Sequence, residues 1–178
     1  MTRVFEHARI WVLPQDHLEQ AAHLIAGAAT ADGRVDAVVG VAQGGLPPAR
    51  RVSELLGVPM FPIHARHNAS SAAFVQASGI VECRSDGIAP GALHGRVLIV
   101  DDICGTGATL RAVTDELAPL AAPGTRILSA TLCRNIGAEG KPDFHIWDVN
   151  DWVHFPWETP PDDQTPREPL PAPGGVVV

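Results

Sequence analysis

The chain reads as a single α/β domain built on a mainly parallel, twisted sheet flanked by helices. Three observations predict this. Short apolar runs rich in β-branched residues, at 37–41, 60–64, 97–100 and 127–132, alternate with stretches patterned as helices. Strands and helices alternating at these spacings form right-handed crossovers between parallel strands. The 178 residues suffice for one core, and 46% apolar with 19% charged residues is the composition of an ordinary globular domain.

Taken in order, Leu18, Ala21, Ala22 and Ile25 form an apolar stripe at helical spacing. Asp16 and Glu19 are the expected capping-box partners, so the first helix runs from Asp16 to about Gly33. Residues 37–41 suit a strand covered on both faces. Gly44 and Gly45 then break the chain, and Pro47 stands in the first turn of a helix that Gly57 stops. The runs 60–64 and 97–100 are further strands, 106–117 is the helix after the second of them, and 127–132 is one more strand. In sheets of this kind ligands sit beyond the carboxyl ends of the strands.

Two segments fall outside the alternation. Residues 68–94 are polar, Gly-rich and too long for an ordinary connection, which predicts a functional, flexible loop that closes as a lid. Residues 159–178 hold six prolines, Pro160, Pro161, Pro166, Pro169, Pro171 and Pro173, which argue against helix or central strand; this tail is expected to be extended or disordered.

A formal charge of −7 offers no basic face for nucleic acid, so a phosphorylated ligand must be held locally by amides, helix dipoles, a metal or a few cations. Cys83, Cys104 and Cys133 are odd in number and lack CxxC spacing, which speaks against a disulfide framework or zinc site. The histidines show no compact ligand spacing. No apolar run approaches the roughly 20 residues of a membrane span, and no signal segment opens the chain, so the expected location is the cytoplasm, with no membrane partner.

The chemistry concentrates after the strand at 97–100. Paired carboxylates, Asp101 and Asp102, lead through Ile103 into Cys104, Gly105, Thr106, Gly107, Ala108 and Thr109, where a helix opens. Successive amides at such a turn form a concave anion nest, and the threonine hydroxyls add donors. Acidic side chains beside a phosphate site make sense if they contact sugar hydroxyls, directly or through Mg²⁺. An acidic pocket of the response-regulator kind is the other reading of the carboxylate pair, and the Thr-Gly-Ala-Thr turn speaks against it.

This turn resembles the phosphoribosyl pyrophosphate (PRPP) motif of the type I phosphoribosyltransferases: a hydrophobic strand, two acidic residues and a Thr-Gly-x-Thr phosphate loop. The segments 40–46 (GVAQGGL), 141–144 (KPDF) and 152–158 (WVHFPWE) extend the resemblance over roughly residues 35–158, toward the bacterial and archaeal xanthine-guanine and hypoxanthine branch. The resemblance implies a phosphoribosyltransferase domain at 1–158, with a small C-terminal hood at about 134–158 that covers the base, Mg²⁺ as cofactor, and a homo-oligomer, dimer or tetramer. By it, Gln43, Gly44 and Gly45 belong to a pyrophosphate loop with Arg66 nearby. Trp152 stacks on a purine whose edge the Val153 main chain reads. Arg134 or Asn135 reads the 6-oxo group, and Glu158 joins Asp101 and Asp102 at the metal.

Three departures bear on the base. Relatives that use 6-oxopurines carry Asp at the position of Gly105, Arg or Lys at that of Gln43, and Lys at about Asn135. The expected substrates are therefore PRPP and a purine or modified, deazapurine-like base. Transfer to a non-purine base and a non-catalytic PRPP-binding regulator are the alternatives. Restoring a carboxylate at position 105 is expected to favour guanine, xanthine or hypoxanthine.

Overall fold

The computed structural model describes residues 3–66, 74, 81–162 and 164–178. A six-stranded sheet runs in the order β4-β3-β2-β5-β6-β7, comprising β2 (Ala37–Ala42), β3 (Met60–Arg66), β4 (Glu82–Arg84), β5 (Arg96–Cys104), β6 (Arg126–Asn135) and β7 (Phe144–Val149). All neighbours are parallel except β4, which pairs antiparallel with β3 at the edge. Helices α1 (Gln15–Thr30) and α2 (Leu46–Leu56) cover one face and α3 (Ala108–Leu117) the other. Alternate residues of the central strands feed the two cores: Val38, Leu98 and Val100 lie under α1 and α2, and Val39, Val97 and Ile99 under α3. The expected fold class holds.

The local elements depart from expectation in instructive ways. Helix α1 starts one residue early behind Pro14 and has no side-chain cap. Asp16 lies in its first turn, and Glu19 pairs with Arg51 of α2 at 2.6 Å instead of closing a capping box. It also stops at Thr30, short of Gly33. Strand β5 continues past Val100 to Cys104 because β6 offers a paired edge that far, with Asp101 opposite Thr131 and Ile103 opposite Cys133. The carboxylate pair therefore sits within the strand, and α3 begins only at Ala108.

A second sheet, in the order β8-β1-β9, joins the beginning of the chain to its end: β1 (Ile10–Val12) lies between β8 (Trp152–His154) and β9 (Arg167–Pro169). Residues 164–178 are thus extended but anchored. Leu170 is buried in the core over α1, the Trp147 indole N–H donates to Pro171 O at 3.0 Å, and Val177 bridges to His145. Much of the loop expected at 68–94 lies outside the described residues. Its second half, residues 81–94, is built into the domain, with β4 on the sheet edge and Ile88 and Leu93 buried, so that part is scaffold rather than lid.

Candidate active site

The carboxyl ends of the adjacent parallel strands β2, β5 and β6 lie side by side, so residues 43–45, which follow β2, stand beside Asp101–Thr109, which end β5 and open α3. Gly107 takes φ 90°, a left-handed turn available to glycine at little cost, and its amide region packs against the backbone of Gly140, whose N–H donates to Thr106 O at 3.2 Å. A β-carbon at Gly107 would come within 2.6 Å of Gly140 Cα. The Thr106 hydroxyl accepts the Ala108 N–H at 3.3 Å. The turn that opens helix α3 at the carboxyl end of β5 is thereby held by the Gly107–Gly140 contact and the Thr106 hydrogen bonds. Burial pushes the Cys104 thiol up to about 11, with Asp101 adding to it, which favours the thiol over the thiolate.

Above the turn, two backbones close on the acidic pair. The loop after β2 presses onto β5 so tightly that a β-carbon at Gly45 would meet Asp101 Cα and Val100 O at 2.7 Å. One at Gly44 would come within 2.6 Å of Asp102 Cγ. The preceding Ala42–Gln43 peptide is cis. Asp101 is buried, and its Oδ1 accepts the Asp102 N–H at 2.9 Å. Burial, reinforced by the charge of Asp102, holds its carboxyl well above the usual range. Asp102 is pushed up to about 6, by burial first and by Glu158 second, against the pull of the Ile103 N–H and the Arg3 guanidinium. Glu158 is raised as well, by burial, while its Oε2 accepts the Phe155 N–H at 3.0 Å. A cavity of about 540 Å³ brings Gln43, Gly44, Trp152 and Glu158 together. Arg66 ends β3 on the same side of the sheet, exposed.

At the hood the side chains are arranged less as the sequence implies. Val153 is buried in the core, and its main chain lies in β8 opposite Trp11 of β1. Arg134 pairs with Asp148, whose Oδ1 also lies 3.2 Å from His145 Nε2. The Asn135 amide is taken up by main chain: its Oδ1 accepts the Val4 N–H at 2.8 Å and the Gly137 N–H at 3.0 Å, and its Nδ2 donates to Val4 O at 2.9 Å. Lys141 donates to Val178 O, and Asp143 accepts from the Ser129 N–H and hydroxyl, both at 2.8 Å, so the KPDF segment braces the sheet. His154 lies 3.8 Å from Glu158.

The reading of the sequence missed the segment 3–9. Beyond Asn135, it is held by buried Asp151, whose carboxylate accepts the N–H groups of His7 at 2.7 Å, Ala8 at 3.1 Å and Arg9 at 3.3 Å. The Phe5 ring lies 6.3 Å from Trp152 and 5.6 Å from Phe74, and Arg3 lies over Gly105. No local periodicity marks residues 3–9, and only an acidic residue as deeply buried as Asp151 betrays that something must satisfy it.

Residues 15–164 match the phosphoribosyl transferase domain. The chain belongs to that family. Among solved structures, a purine phosphoribosyltransferase from Pyrococcus horikoshii superposes with a TM-score of 0.68 at 28% identity, over 88% of this chain and 99% of that one. The xanthine-guanine-hypoxanthine phosphoribosyltransferase of Helicobacter pylori shares the fold, with a TM-score of 0.67 at 22% identity over 85% of this chain and 93% of the other. The orotate phosphoribosyltransferase of Bartonella tribocorum is 36% identical over 112 residues, 63% of this chain, and the match spans about half (49%) of that relative. The resemblance to type I phosphoribosyltransferases therefore stands, while the named relatives act on different bases. In this member of the family no helix among the described residues is long and apolar enough to cross a membrane.

Proposed function

We propose that this phosphoribosyltransferase transfers the 5-phosphoribosyl group of PRPP to a purine or modified purine, releasing pyrophosphate. One observation carries the reading: the Gly-Thr-Gly turn that opens α3 follows the Asp101–Asp102 pair at the end of β5, while Gly44 and Gly45 press against that same pair from the neighbouring loop, an arrangement that suits a phosphate at the turn. A ligand with a phosphate at the turn and its sugar over the carboxylates has its leaving group beside Gln43 and Gly44 and its base beside Trp152.

Among the described residues no three His, Cys, Asp or Glu side chains are grouped as a metal site. Mg²⁺ needs only one or two carboxylates when substrate phosphates and water complete its shell. The donor set fits by its chemistry, since Asp101 is buried, Asp102 is partly buried beside it, and the carboxyls of both are raised by desolvation and by a neighbouring carboxylate, which a divalent cation would relieve. One or two of the expected carboxylates Asp101, Asp102 and Glu158 would hold the ion together with substrate oxygens, and the ion would supply countercharge to the leaving pyrophosphate.

The nitrogen of the base displaces pyrophosphate at the anomeric carbon through an oxocarbenium-like transition state. Asp101 and Asp102 orient the ribose hydroxyls and stabilise the positive charge developing on the sugar, and the turn fixes the 5-phosphate. Trp152 presents a face for stacking, worth about 1–3 kcal/mol per base in nucleic-acid sites. The test is a panel of bases with PRPP and Mg²⁺, scored by pyrophosphate release and nucleotide mass. It includes orotate because of the relative that bears that name. Guanine, hypoxanthine, xanthine or a deazapurine is expected to lead; pyrophosphate release with orotate alone would make the base a pyrimidine, and none with any base would remove the transferase reading.

A further inference from the structure

We propose that Arg3 determines base specificity, its guanidinium selecting a planar base that presents a hydrogen-bond-accepting or anionic edge, a ring carbonyl or carboxylate. The inference rests on the transferase reading above and deepens it.

The segment 3–9 is a built wall of the site. Its main chain is fixed at both ends, by Asn135 through both polar groups of Val4 and by Asp151 through three successive N–H groups. Its side chains alternate as an extended chain requires: Arg3 and Phe5 are half-buried and face the site, while Val4 and Glu6 are exposed. Arg3 lies against Gly105, where a β-carbon would come within 2.6 Å of its Cζ, and its charge is felt at Asp102 and Asp101. Phe5, two residues on, turns its ring toward Trp152 at 6.3 Å.

A base attached to a sugar over the carboxylate pair and stacked on Trp152 occupies the space that this face borders. Gly105 contributes no side chain to that space and leaves room for the guanidinium. Arg carries five N–H donors in a planar fork and no acceptor, so it has donors for a ligand beyond those directed at the protein. It matches a carbonyl or carboxylate edge. An amino edge such as that of adenine sets donor against donor and leaves buried groups unmatched.

The test compares the full chain with Arg3→Gln and Arg3→Lys, using guanine, hypoxanthine, xanthine, orotate and adenine, with KM measured separately for base and PRPP. Arg3→Gln is expected to lower kcat/KM for oxo or carboxylate bases about 10–100-fold, the ratio for one hydrogen bond to a charged group, through the base KM. The PRPP KM stays within about twofold, Arg3→Lys recovers part of the loss, and adenine is unaffected or gains. Circular dichroism and the melting midpoint check that both variants fold. A rise in the PRPP KM equal to that of the base would assign Arg3 to phosphate and overturn the proposal, as would adenine as the preferred base of the unmodified enzyme. Equilibrium dialysis of labelled bases separates the two readings. Arg3-dependent retention of an oxo base without turnover sustains Arg3 and removes the transferase. Turnover indifferent to Arg3 does the reverse, and neither binding nor turnover removes both.

Discussion

The carboxylate of Asp102 rests against Gly44, so closely that a β-carbon there would stand 2.6 Å from its Cγ, while one on adjacent Gly45 would strike the backbone of β5 at 2.7 Å. The two glycines are therefore expected to fail differently. Gly44→Ala displaces a side chain: the protein folds, and kcat/KM for PRPP falls tenfold or more because the carboxylate loses its position. Gly45→Ala must move main chain, an overpacking that costs about 1–3 kcal/mol. Its signature is a lowered melting midpoint. Equal melting midpoints for the two variants would show that the loop yields more easily than this packing implies.

Asp102 is pushed up to about 6 by burial and by Glu158, so the folded chain prefers it protonated. The sign follows from linkage: an acid whose folded pKa exceeds its unfolded value makes stability fall as pH rises from about 4 through about 6, after which the loss is constant. Asp102→Asn removes that loss. In the absence of Mg²⁺ and PRPP, the variant is expected to melt higher than the parent at pH 7.5, with the difference closing near pH 4, yet to be inactive. Mg²⁺ with PRPP raises the parent's midpoint at pH 7.5 and not the variant's. A variant that melts lower at pH 7.5 would mean that Asp102 supports the fold through its pairing with Arg3.

Thr106 has two roles that kinetics can separate. Its hydroxyl accepts the Ala108 N–H where α3 opens, and in the proposed complex it donates to the 5-phosphate. Thr106→Ala is expected to raise the PRPP KM about tenfold or more, since a hydrogen bond to a charged group is worth about 1.5–3 kcal/mol. Thr106→Ser keeps both roles and stays near the parent. An unchanged PRPP KM in the alanine variant would place the phosphate elsewhere.

Gly105→Asp reverses sign once the tertiary structure is considered. On the sequence alone, a carboxylate there favours 6-oxopurines. Gly105 lies outside the left-handed region, so backbone strain is no obstacle, but the new side chain would meet the Arg3 guanidinium. The ion pair withdraws donors from the base. Turnover of oxo bases is expected to fall in Gly105→Asp, and adding Arg3→Ala is expected to lower it little further because the ion pair has already withdrawn those donors, a coupling read from a double-mutant cycle. A gain in the single variant would show that Arg3 yields the site to the new carboxylate.

Sequence alone determined the α/β class, the central strands, helix α2 with its glycine stop, and the carboxylate–nest motif, because each of these signals is local. Residues that alternate or recur at helical spacing report which faces are buried, and a Thr-Gly turn between strand and helix carries its own geometry. The ends of elements were less legible: β5 runs on to Cys104 only because β6 pairs with it, and α1 starts behind Pro14 while Glu19 turns to Arg51 on another helix. What tertiary structure alone decided lies in contacts far apart in the chain. Asn135 meets Val4 across 131 positions, Asp151 meets His7 across 144, and Arg9 meets Glu168 across 159. Those contacts engaged the Asn135 amide with the Val4 main chain, tied residues 164–178 into the domain, and set Arg3 over Gly105. No periodicity encodes such pairings, because they are fixed by the need of buried polar groups for partners after the chain has folded.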